Sequence, residues 1–192
     1  YLAHLALAHP NEGLVVGNFI GDHVRNKDLP SFLTAIQEGV AMHRSIDTFT
    51  DSHEVTIHLR KLLFTSHRHL ARVLIDVFYD HFLSNTFEAH HDMPLSSFIQ
   101  VVQSILQKHH DVLPHTAQRY LAGMISQNWL EKYQSKEGIA HILQKMANRS
   151  GLAELARGSD SLSLHYNKLE QGFNQFYPDL LLHCDRFIKA NL

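Results

Sequence analysis

Three short segments in the first half of the chain carry residues able to do chemistry: Asn18-Phe19-Ile20-Gly21-Asp22, His43-Arg44-Ser45-Ile46-Asp47 running on to Asp51, and Asp76-Val77-Phe78-Tyr79-Asp80-His81. Each sets a carboxylate, and two of them an imidazole, into an otherwise apolar stretch. Burying a carboxylate is costly unless it is paired or bound to a cation. Several such groups on neighbouring helices point to a metal site. Imidazole and carboxylate ligands without a thiolate suit manganese, magnesium or iron(II) better than structural zinc. A divalent ion lowers the pKa of bound water and takes up charge on phosphoryl oxygens, the needs of phosphate-ester hydrolysis. Arg25 and Arg44, permanently protonated, are candidates for paired hydrogen bonds to a phosphate.

The elements that must position these groups read as helices. Leu33, Ile36, Val40, His43 and Asp47 follow spacings of three and four, as do Leu70, Val73, Leu74, Val77 and Phe78. Further helices are expected at Leu95–Leu106, Thr116–Ile125, Gly138–Ala147 and Leu162–Leu182. Sustained alternation of period two is absent. Pro30, Pro94 and Pro114 mark breaks, with Ser31 and Ser96 as expected caps. The expectation is an all-α fold, one helical domain over residues 1–192.

Bulk properties exclude several classes. The formal net charge of -2 offers no polybasic field for nucleic acid or an anionic membrane. No apolar run approaches the roughly 20 residues of a membrane span. The opening residues lack the basic leader of a signal peptide. One cysteine, Cys184, allows neither an intramolecular disulfide nor a thiolate cluster and suits a reducing cytoplasm. Glycine-rich phosphate loops, nucleophile elbows and paired zinc-protease histidines are all missing. The 17 histidines are too many for one site, so position relative to carboxylates has to select among them.

His43 and Asp47, four apart, project from one helical face and can share an ion, or the carboxylate can orient the ring. Asp51 lies one turn further on. The alternative is a solvated His–Asp pair. Asp76 and Asp80 share a face of a strongly apolar helix, where an ion, a retained proton or an arginine must relieve their repulsion. Arg72, one turn before Asp76, offers a plain structural salt bridge. Asp22 would contribute a carboxylate from a third segment, the alternative being a helix-end aspartate facing water.

These residues resemble the acyl carrier protein phosphodiesterase family. The likeness runs through Leu2-Ala3-His4-Leu5, Gly17-Asn18, Asp22-His23-Val24-Arg25, Met42-His43-Arg44, Ile46-Asp47 and Thr50-Asp51 to Asp76-Val77 and Asp80-His81-Phe82-Leu83-Ser84. It continues at Tyr120-Leu121, Trp129-Leu130, Tyr133, Met146-Ala147-Asn148-Arg149, His165-Tyr166 and Gln175-Phe176-Tyr177-Pro178. The resemblance implies a manganese-dependent hydrolase, an atypical relative of the helical HD-type phosphohydrolases. It would release 4′-phosphopantetheine from holo acyl carrier protein. Asp80-His81 reverses the usual His-Asp order, so ligand positions of ordinary HD enzymes do not transfer. On this reading Asp22, His43 and Asp80 are the expected metal ligands, and Asp47 and His81 are ligands or orienters. Arg60, Lys61, Arg68 and Arg72 are candidates for meeting the acidic carrier. A nucleotide phosphohydrolase with the same metal chemistry, and a helical carrier-binding protein without catalysis, are the alternatives.

Overall fold

The apolar stripes form helices where their spacing predicts them. A computed structural model describes residues 1–191 of the chain; Leu192, the last residue of the expected domain, lies outside them. Ten α-helices are described: α1 Leu2–Ala8, α2 Glu12–Ile20, α3 Thr34–Ser52, α4 Glu54–His67, α5 Ala71–Asn85, α6 Leu95–Lys108, α7 His115–Ser126, α8 Trp129–Lys132, α9 Lys136–Ser150 and α10 Gly158–Asn191. Short 3₁₀ turns join several of them, and no strand occurs among the described residues. The all-α expectation holds. The last helix runs well past its expected bounds at both ends and carries Pro178 inside it.

Two expected caps are replaced by others. Ser31 ends a 3₁₀ turn instead of capping α3, and α6 starts from Pro94 without a side-chain cap. The capping hydrogen bonds are made elsewhere: Asn11 accepts from Leu14 N at 3.1 Å and Ser135 from Gly138 N at 3.0 Å.

One hydrophobic core runs from Leu2 on α1 to Cys184 on α10. Its middle is α5, buried on most of its circumference from Leu74 to Ser84, as a helix apolar nearly all round should be. Around α5, α2 lies closely along α3. A Cβ on Gly17 would overlap the Ile36 carbonyl and Gly39, so the two backbones touch through paired glycines. That approach sets Asn18 of α2 against His43 of α3. Among the described residues no helix is long and apolar enough to cross a membrane.

Candidate metal centre

Two helices converge on one point, beside the turn that follows a third. His4 from α1 and His43 and Asp47 from α3 each offer a ligand atom, and these atoms all lie within 4.8 Å of one another. His4 Nε2 is 3.3 Å from Asp47 Oδ1, and His43 Nε2 is 3.4 Å from Asp47 Oδ2. Asp22, in the 3₁₀ turn after α2, puts Oδ1 3.3 Å from His43 Nε2. The two imidazoles stack, with centroids 4.2 Å apart.

Asn18 decides which way both rings point. Its main-chain oxygen is 2.9 Å from His43 Nδ1, and a carbonyl can only accept, so Nδ1 carries the proton. Its side-chain amide donates to Leu14 O at 3.1 Å, which turns Oδ1 toward His4 Nδ1 at 3.3 Å. In the neutral rings both Nε2 atoms therefore present lone pairs to Asp22 and Asp47. Lone pairs facing carboxylates at this range repel, and either a second proton on a ring or a metal cation between the groups resolves it. A proton is disfavoured on His4, whose pKa is lowered, first by burial and then by His43 beside it. When His43 carries a second proton, on Nε2, its hydrogen bond holds Asp22 well below the usual carboxylate range. Enclosure works against ionisation of Asp47, but His4 and His43 outweigh it and leave that carboxyl lowered too. Two Nε2 lone pairs and two ionised carboxylates are a donor set for a divalent cation, and ring N–H groups tied to an asparagine are the usual support for such ligands.

The centre sits in the wall of a cavity of about 570 Å³. Asp76 is exposed to this cavity, and without a cation nearby the desolvating surroundings first and Asp47 second push its carboxyl up to about 7. Phe173, Phe176 and Leu180 of α10 back part of the wall and are almost wholly buried, and Trp129, Lys145 and Arg149 stand on another part.

The remaining predicted residues lie elsewhere. Asp80 touches the cavity, but its carboxylate accepts from the nitrogens of Tyr1 at 2.6 Å, Leu2 at 3.0 Å and Ala3 at 2.9 Å. It anchors the start of α1, and through α1 it positions His4. His81, one residue on, faces the opposite way: Nδ1 donates to Tyr133 O at 2.6 Å and Nε2 meets Tyr166 Oη at 3.2 Å. Asp51 is held by Arg60 at 3.0 Å and Arg72 at 2.7 Å, so the salt bridge expected between Arg72 and Asp76 forms with Asp51 instead. Arg25 pairs with Asp28 at 2.9 Å, and Arg44 braces the turn after α2 through Asn26 Oδ1 at 2.7 Å. Neither lines the cavity. His4 and Asn18 were legible only as parts of familiar segments, because nothing in their local spacing marks them as ligand and orienter.

Residues 1–180 match the family described as acyl carrier protein phosphodiesterase. The chain belongs to this family. Relatives carrying that name include one from Yersinia enterocolitica, 34% identical over 94% of this chain and 95% of the relative. Others come from an Enterobacter species, 32% identical over 96% of both chains, and Klebsiella pneumoniae, 33% identical over 94% of this chain and 95% of the relative. No solved structure matches. Within the family's matched span lie all four residues of the centre and Asn18 between them.

Proposed function

We propose that this protein is a divalent-metal phosphodiesterase that removes 4′-phosphopantetheine from holo acyl carrier protein and leaves the apo carrier. Family membership supplies the reaction class, and one observation carries the reading: His4, His43 and Asp47 face a single point in the wall of a cavity of small-ligand size, with Asp22 beside His43. Manganese is the favoured ion, with magnesium or iron(II) as chemically similar occupants. When bound, the ion supplies positive charge against the phosphoryl oxygens and acidifies the water beside it.

The chain's own groups do the rest. His4, His43, Asp47 and Asp22 hold the ion, and Asn18 keeps both Nε2 lone pairs aimed at it. The apolar part of the cavity wall, which includes the half-buried Val73, Trp129 and Met146, receives the pantetheine arm. Cleavage breaks the bond between phosphorus and the carrier serine oxygen, which needs a proton as it departs. Asp76, a carboxyl lining the same cavity whose surroundings favour its protonated form, is the group placed to deliver it. Cys184, single, free and buried, supports a cytoplasmic setting.

The test is mass spectrometry of holo carrier incubated with the protein. Manganese-dependent loss of the whole prosthetic group, blocked by chelator and by Asp47→Ala, is the expected result. An intact holo carrier after prolonged incubation with metal would overturn the assignment and favour a nucleotide substrate or carrier binding alone.

A further inference from the structure

We infer that Lys145 and Arg149, one turn apart on α9, form the clamp for the substrate's phosphate, and that Arg149 is the principal positioning residue. The inference rests on the phosphodiesterase reading for its substrate but on separate geometry.

The cavity presents four aspartates, Asp22, Asp47, Asp76 and Asp80, to a substrate that is itself anionic. Cations free to answer that charge are few. Arg72 lines the cavity but is tied to Asp51 at 2.7 Å, a carboxylate it shares with Arg60. Lys145 and Arg149 also line it, and neither has a carboxylate partner among the described residues. Their i,i+4 spacing puts both heads on one face of the helix.

Aromatic contacts connect this face to the centre. The Arg149 guanidinium lies over the Tyr120 ring, 5.4 Å from its centroid. Tyr120 packs on Tyr1 at 4.6 Å, and the Tyr1 hydroxyl is 3.3 Å from Asp22 Oδ2. A guanidinium beside a ring and without a carboxylate partner keeps N–H groups available for two parallel hydrogen bonds to phosphate oxygens. Lys145 adds a point charge beside it. Trp129, the chain's single tryptophan, stands edge-on to Tyr120 at 5.0 Å, and its buried Nε1 has no partner. Two exposed cations without carboxylate partners on one wall describe a surface suited to an acceptor-rich ligand.

Trp129 also reports on the site. In metal-free protein, 4′-phosphopantetheine and pantetheine are titrated separately while Trp129 fluorescence is followed. The phosphorylated compound is expected to bind about tenfold or more tightly than the other, the difference being the clamp's share. Lys145→Ala/Arg149→Ala should bring that ratio toward one, and Arg149→Lys should keep part of it. In metal-loaded protein Arg149→Ala should raise KM for holo carrier about tenfold with metal content unchanged. A ratio near one in the unsubstituted protein, or a ratio untouched by the double substitution, would overturn the clamp. Should the ratio respond as expected while holo carrier stays uncleaved, the clamp stands and the choice of substrate falls.

Discussion

The main-chain oxygen of Asn18 lies 2.9 Å from Nδ1 of His43, and that contact fixes the proton on the far side of the ring from Asp22 and Asp47. The Asn18 side chain does the same for His4. One buried residue thus sets the tautomer of both imidazole ligands.

Asn18→Ala keeps the carbonyl contact to His43 but frees His4. Metal affinity is expected to fall roughly 10–100-fold, the usual cost of losing a ligand's support. Manganese titration of the purified variant measures it. Undiminished affinity would show that His4 needs no orientation from Asn18.

Gly21 packs so closely on the His43 ring that an added Cβ would overlap it. Gly21→Ala should displace the imidazole and weaken metal binding on the order of tenfold or more, with the distant core unaffected. Circular dichroism alongside metal titration separates this local effect from unfolding.

Asp80 and Asp47 should part company under substitution. Asp80→Ala leaves the first nitrogens of α1 without their acceptor and is expected to cost about 2–4 kcal/mol of stability. Asp47→Ala should abolish metal binding while leaving metal-free stability close to that of the parent. Denaturant unfolding and metal analysis of both variants check the pair. Loss of metal without loss of stability in Asp80→Ala would return that residue to the ligand set.

Asp76 gives stability a defined pH dependence in metal-free protein. Its folded pKa of about 7 lies above the 3.8 of an unfolded aspartate, so the folded state holds the extra proton between those values. Asp76's contribution is unpenalised below pH ~4, declines as pH rises through 7, and is level above that. Asp76→Asn should therefore raise the melting temperature at pH 8 and change it little at pH 4. A cation bound at Asp47 should draw the Asp76 pKa down and shrink the difference. In cleavage assays the same substitution should lower kcat more than it raises KM.

The helical content was legible in the sequence, and so was part of the proposed site. Apolar spacing of three and four marked α3 and α5, and His43 with Asp47 could be read as a pair because four residues are one turn wherever the helix packs. Asp22 as a carboxylate from another segment was legible for a similar reason, a polar group closing an apolar run. What spacing could not convey was partnership across elements. Asp80 and His81 are adjacent, yet on a helix they diverge by about 100°, and packing turned one toward α1 and the other toward Tyr133 and Tyr166. Arg25, Arg44 and Asp51 carry charges that reach several ångströms, so their sequence positions fit a cavity role equally well until nearby Asp28, Asn26 and Arg60 engaged them. His4 entered the centre because Asp80, more than seventy residues away, holds the start of α1. Local periodicity determines which face a residue occupies; only the assembled helices decide what that face meets.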